Sequence, residues 1–198
     1  WTTQTGDDGY YAKNTKATSP EWVSFHFSWN TKSPFFADRR VRRAMSHAFD
    51  HERMLETTCH GLYTPCTGIF HPTAWMATKK PLEAYRQDLD RAEALLDEAG
   101  WIDRDNDGIR DREIDGRSVP FEFTVLCSQQ PMAQEIAALL QQSLERIGVR
   151  VNVRPTEFTV LQQQLLEKKF DAAFGGWGAG ADPDTSSNIW ATGEGRNF

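Results

Sequence analysis

The sequence predicts an α/β fold, and three observations carry that prediction. Between residues 119 and 177, apolar residues recur at period two, then at helical spacing, then again at each in turn. That order of strand, helix, strand, helix and strand is a βαβαβ unit, with parallel pairing and helices packed on the sheet. The 198 residues suffice for one substantial core, and 39% hydrophobic with 25% charged residues is ordinary globular composition. The last strand runs into glycines around one tryptophan, in Phe170–Asp184, FDAAFGGWGAGADPD. In open α/β sheets ligands gather at the carboxyl ends of strands.

The formal net charge is −6, so there is no basic excess to attract nucleic acid or an anionic membrane as the main partner. No apolar run approaches the length of a membrane span. The chain opens at Trp1 without an initiator methionine, and it is expected to be a piece of a longer protein. The missing leader therefore says nothing about export. Twelve Phe and seven Trp are generous for this size. Some are expected to face a groove or a partner domain.

Residues 1–20 are polar and turn-rich, a loose lead-in or a connection from another domain. Trp22–Trp29 alternates: Val23, Phe25, Phe27 and Trp29 share one face, and Trp22, Ser24, His26 and Ser28 the other. That is a half-buried strand. Asp38 caps a helix whose stripe is Val41, Ala44, Met45, Ala48 and Phe49, with Arg39, Arg40, Arg42 and Arg43 on the solvated side. Asp50 caps a short second helix. Gly61, Pro65, Gly68, Pro72 and Pro81 mark residues 61–87 as a long ordered surface loop.

A helix over Leu89–Ala99, capped by Asp88 or Asp90, stops at Gly100. Trp101–Arg117 reads as a charged loop or hairpin, and Val119–Leu126 as a strand. Pro131 opens the longest helix, to about Ile147, and Gly148 ends it. Val149, Val151 and Val153 alternate as the next strand. A helix from Phe158 to Glu167 leads into the strand at Phe170.

Asp103, Asp105, Asp107, Gly108 and Asp111 form D-x-D-x-D-G-x-x-D. Oxygen ligands at alternate positions, with a glycine that lets the chain curl, suit a structural calcium ion. The twelfth position is Ile114, which cannot serve, so the pattern is not a full EF-hand and an acidic hairpin turn fits as well. Cys59, His60, Cys66 and His71 match no zinc spacing; in an exported protein a Cys59–Cys66 disulfide is the better expectation, with Cys127 left as a buried thiol. His47 and His51 lie four apart, but Asp50 breaks the helix between them. There is no G-x-S-x-G, no H-E-x-x-H and no phosphate loop, so catalysis has no positive support and no cofactor is required. Asp171 reads as a structural acceptor.

The glycines of 175–180 leave bare backbone beside a large ring at Trp177, which suits a ligand that is itself an extended chain. A strand leaving the core, with Trp177 as a plug, is the plainer alternative.

Taken together, the motifs resemble the family 5 extracellular solute-binding proteins of ABC importers, the oligopeptide, dipeptide and nickel-binding type. Asp38-Arg39-Arg40-Val41-Arg42-Arg43-Ala44, Ala48-Phe49-Asp50, Gly61 and Pro65 match one run of that family's signature. Leu95–Trp101, Asn106-Asp107-Gly108, Gly148–Val153 and Phe170–Asp184 follow in the family's order. The resemblance covers residue 20 to the end. It implies a periplasmic-binding-protein type II-like lobe with a mixed sheet flanked by helices. Residues 21–198 would be a C-terminal ligand-binding lobe lacking its partner lobe. Ligand contacts would fall on Gly176, Trp177 and Gly178. In peptide-binding members an aspartate three residues after the tryptophan holds the ligand's amine; here that residue is Gly180, and Asp182 comes two later. The implied ligand is a peptide or other small solute. The implied partners are ABC transporter permease subunits, for a monomer that is periplasmic or extracellular, free or lipid-anchored. A calcium-stabilised interaction module at Asp103–Asp111, and an enzyme domain, are the alternatives.

Overall fold

The alternating segment forms the expected unit in the computed structural model, which describes residues 23–68, 70–80, 82–178, 189, 191 and 193. The elements are β1 (Val23–Trp29), α1 (Arg39–Ala48), α2 (His51–Arg53, running into a π-helical turn at Met54–Thr58) and α3 (Leu89–Glu98). The hairpin strands β2 (Asp111–Ile114) and β3 (Arg117–Pro120) come next. Then follow β4 (Glu122–Ser128), α4 (Pro131–Glu145), β5 (Arg150–Thr156), α5 (Phe158–Leu166) and β6 (Ala172–Gly178). The main sheet has the order β1-β6-β4-β5. Strand β4 is parallel to both β5 and β6, while β1 is antiparallel to β6, so the sheet is mixed.

Local chemistry sets the boundaries. Asp38, Asp88 and Glu157 each accept a backbone N–H of the following helix, at 2.8 Å from Arg40, 2.9 Å from Arg91 and 2.9 Å from Thr159. Gly148, at φ +73°, ends the turn after α4. Asp115 and Gly116 both have positive φ and reverse β2 into β3, as a two-residue hairpin turn requires. Pro155 sits within β5, which lies at the sheet's edge, where a missing N–H is tolerated.

The expected strand from Val119 is in fact two elements. Val119 and Pro120 belong to the hairpin, and β4 begins at Glu122. The chain pivots at Phe121, whose N–H donates to the Arg110 carbonyl (2.7 Å) and whose carbonyl accepts from Arg150 N–H (3.0 Å). Its ring is fully buried, stacked 4.3 Å from Trp101.

The sheet has two distinct faces. Val125, Ala172, Phe174 and Phe27 lie on the face that carries the main core, with Phe36, Val41, Met45, Ile136 and Leu140 of the surrounding helices and loops. Leu126 and Ala173 lie on the other, where α5 covers them with Leu161 and Leu165. The arginines of α1 are not all solvated. Arg40 binds Asp38 and the Glu98 carbonyl, and Arg42 donates to the carbonyls of Phe36 and Ala37.

Candidate functional site at the carboxyl end of β6

The glycine-tryptophan segment is not a loop after the strand. It is the second half of β6, held by β1 along its whole length from Trp29↔Ala172 to Val23↔Gly178. On its other side β6 meets β4 only at Val125↔Ala172 and Leu126↔Ala173. Beyond Ala173 the two parallel strands part, although β4 continues to Ser128. From Phe174 onward no described strand pairs with the β4-side edge of β6. An extended ligand could hydrogen-bond there as an added strand.

The start of β6 is tied down firmly. The buried Asn30 donates from Nδ2 to the carbonyls of Phe170 (2.7 Å) and Lys168 (3.1 Å), and its N–H donates to the Asp171 carbonyl (2.9 Å). The Asp171 carboxylate accepts from Ser33 Oγ (3.0 Å) and from the Thr124 N–H (3.3 Å), so it is the structural acceptor expected of it.

Each expected contact residue has a definite place. Gly176 is exposed but crowded: a Cβ there would lie 2.7 Å from the Ser24 carbonyl oxygen and 2.9 Å from Phe25 Cδ1. That glycine is demanded by its neighbour, because the Phe25 ring crosses it on its way to stack on Phe174 and meet Tyr63 edge-on. Trp177 is half-buried and opposite Ser24, on the same sheet face as Ala173. It lies among neither set of buried core residues. Gly178 is exposed, with no described atom within 4 Å of a Cβ. Asp182, like Gly180, lies outside the described residues.

One residue near Trp177, His26, was not singled out by its type or spacing. His26 lies directly opposite Gly175, on the Trp177 face. Burial pushes its imidazole below the usual histidine range, against a weaker opposing hydrogen bond with the Ser24 backbone. The alternation of Val23–Trp29 placed His26 on the polar face, but only the register of β1 against β6 brings it to the site.

The acidic loop brings three of its aspartates together. Carboxylate oxygens of Asp103, Asp105 and Asp107 lie within 4.8 Å of one another. Asp111 has a different partner set: its carboxylate accepts from Arg104 N–H (3.1 Å), Arg104 Nη1 (2.8 Å) and Ser118 Oγ (2.9 Å). These bonds, the backbone one foremost, hold its pKa below the usual carboxylate range. An arginine in contact and a hydroxyl donor are the wrong neighbours for a cation ligand, so Asp111 is removed from that group.

Cys59, Cys66 and Cys127 are all free; Cys66 is exposed and points to the carbonyls of Gly68 and Phe70, away from the disulfide expected with Cys59. His47 and His51 are separated by the helix break at Phe49 and Asp50, and each ring packs on an aromatic neighbour, Tyr85 and Phe49.

Residues 2–198 match the family model described as bacterial extracellular solute-binding proteins, family 5 Middle. The chain belongs to this family. The oligopeptide-binding protein AppA of Bacillus subtilis is 30% identical over 167 residues, covering 80% of this chain and 29% of that protein. The solved structure of AppA in complex with a nonapeptide superposes with a TM-score of 0.75 at 29% identity, over 84% of this chain and 33% of AppA. NikA from Brucella suis, solved in complex with Fe(III)-EDTA, superposes with a TM-score of 0.76 at 26% identity, over 90% of this chain and 35% of NikA. The chain thus spans about a third of the length of these family 5 relatives. None of its described helices is long and apolar enough to cross a membrane.

Proposed function

We propose that the protein containing this chain captures an extended solute, a peptide first among the classes, between two lobes and presents it to the permease subunits of an ABC transporter. The role is binding, with no catalytic step. Residues 21–198 supply the C-terminal ligand-binding lobe and residues 1–20 lead into it. The observation that carries the reading is the edge of β6 beyond Ala173, unpaired by β4 and flanked by Trp177. A strand edge can recognise another backbone through its peptide groups, whatever the side chains. AppA with its nonapeptide supports a peptide. NikA with Fe(III)-EDTA keeps a metal chelate as the second class. Gly176, Trp177 and Gly178 form this lobe's contact strip, with Asp182 taking the ligand's amine in place of the residue at Gly180. The protein works outside the cytoplasmic membrane as a monomer, free or lipid-anchored. Asp103, Asp105 and Asp107 hold a structural calcium ion that pins their loop.

A thermal-shift screen of the full-length protein against peptides, oligosaccharides and metal chelates tests the reading. A melting shift that grows with peptide concentration is expected, because a ligand binding only the folded state stabilises it by mass action. Shifts confined to oligosaccharides would overturn the peptide assignment.

A further inference from the structure

We propose that a cleft at the amino end of the sheet, between Arg154 of β5 and the residues that lead into β6, is a binding site for a small hydroxycarboxylate. The cleft has a volume of about 290 Å³ and is lined by Thr124, Leu126, Arg154, Lys169, Phe170 and Asp171. It stands apart from the binding edge of β6, because the extended chain between Asp171 and Trp177 covers about 20 Å. The fold accounts for its shape. Arg154 lies opposite Leu126 across the β4–β5 pair, and Thr124 is on the same face of β4. Helix α5 packs on that face through Leu161 and Leu165, over Leu126, Phe170 and Ala173. Thr124 is nearer the amino end, outside that cluster and half-buried. The sheet order puts β4 between β6 and β5, so Thr124 and Leu126 form the floor, Arg154 one wall and the chain entering β6 the other.

The two walls carry opposite charges that lack charged partners of their own. Arg154 donates from Nη2 to the neutral Gln164 Oε1 (2.7 Å), and among the described residues no carboxylate pairs with it. Arg150, on the same strand and face, differs: it meets Glu122 Oε2 at 3.3 Å, and Asn152 donates to the other oxygen of that carboxylate (2.9 Å). Lys169 holds Glu167 at 2.8 Å and has further N–H groups to give. On the opposite wall the Asp171 carboxylate accepts from two neutral donors, Ser33 Oγ and the Thr124 N–H, and no cation pairs with it among the described residues. An ionised carboxylate has about four lone-pair sites, so Asp171 can accept more. A molecule that complements both walls presents an anion to Arg154 and Lys169 and a hydrogen-bond donor to Asp171. The guanidinium fork favours a planar carboxylate. Burial, and after it the charge of Lys32, pushes the Lys168 ammonium below the usual lysine range, so positive charge is already crowded at this end. An amine as the donor would add to that crowding; a hydroxyl does not. Leu126 and Phe170 offer apolar surface to the carbon skeleton.

The test uses the full-length protein and saturation-transfer NMR, which detects weak binding, with lactate, acetate and inorganic phosphate as probes at constant ionic strength. Lactate should bind saturably, acetate more weakly and phosphate least. Arg154→Gln should weaken lactate binding about tenfold or more, the worth of hydrogen bonds to a charged group, and Lys169→Gln should weaken it less. Arg150→Gln removes the same charge from the same strand and should bind lactate within about twofold of wild type. Arg154 is exposed, so its variant should keep the wild-type melting temperature without lactate, and any peptide-induced melting shift should keep its wild-type size. No saturable lactate binding would overturn the site, and so would equal losses in the Arg154 and Arg150 variants, which would mean diffuse charge alone. Acetate or phosphate binding as tightly as lactate would overturn the hydroxycarboxylate class. Each of these failures leaves the reading of the β6 edge standing, because that reading is tested by the peptide-induced shift.

Discussion

Replacing Gly176 by alanine should damage the fold itself, and the geometry gives the size of the effect. The new Cβ would sit 2.7 Å from the Ser24 carbonyl oxygen and 2.9 Å from Phe25 Cδ1. Both distances are well inside van der Waals contact. The oxygen belongs to the backbone of β1 and cannot turn away. The Phe25 ring is held by Phe174, 6.2 Å away and stacked, and by Tyr63, 5.8 Å away and edge-on. The strand or the ring must move, and overpacking of this kind costs about 1–3 kcal/mol. For a chain of this size that lowers the melting temperature by about 2–12 °C. Differential scanning calorimetry of the ligand-free full-length protein measures it, with Gly175→Ala one residue away as the control. Equal melting temperatures for Gly176→Ala and wild type would refute the claim that Phe25 lies across this glycine.

Trp101→Ala should cost about 3–5 kcal/mol, read from urea unfolding, because Trp101 is fully buried against Phe121 and Phe35 and lies under the Arg112 guanidinium. Asn30→Ala leaves the Phe170 and Lys168 carbonyls without their donor and should cost about 1–3 kcal/mol; hydrogen exchange at the start of β6 should speed up with it. Asp111 is more acidic folded than unfolded, so its contribution to stability is complete above the ordinary aspartate range and is lost as pH falls through its lower folded value. Acid titration of Asp111→Asn should therefore show a shallower loss of stability at low pH than wild type, and identical slopes would contradict the Arg104 assignment. Calcium should raise the melting temperature of wild type and of Asp111→Asn but not of Asp105→Asn; a calcium response surviving in Asp105→Asn would exclude the acidic loop as its site.

Much of the fold could be read from local chemistry. Asp38, Asp50 and Asp88 announce their helices by residue type, and Pro131 and Gly148 bracket the longest one, because capping involves groups only a few residues apart. The alternating strands were legible for the same reason. What local pattern could not supply was partnership between distant segments. Phe170–Gly178 looks like a strand dissolving into glycines, yet β1 pairs with those glycines and keeps them extended. That Gly176 must be glycine for the fold's own sake shows only when the Phe25 ring is placed across it. Asp111 completes an acidic pattern on paper, but Arg104, inside the same loop, turns back and takes its carboxylate. The polar face of β1 was clear; that it stands beside Trp177 depends on register across the sheet.

The pairing of β1 with β6 also governs when the binding edge comes into being during folding. The three parallel strands follow one another through single helices and can assemble from near neighbours. Strand β1 must be brought back across the whole of that unit: Asn30 and Phe170 are 140 residues apart in the chain. Closing a loop of that length carries an entropic cost of about 4 kcal/mol beyond the constant of closure, and contacts of such separation slow the search for the native state. Until β1 arrives, the outer half of β6 has no partner on either side, since β4 has already diverged from it. The edge bearing Trp177 is therefore complete only once two segments far apart in sequence, Val23–Trp29 and Ala172–Gly178, have paired.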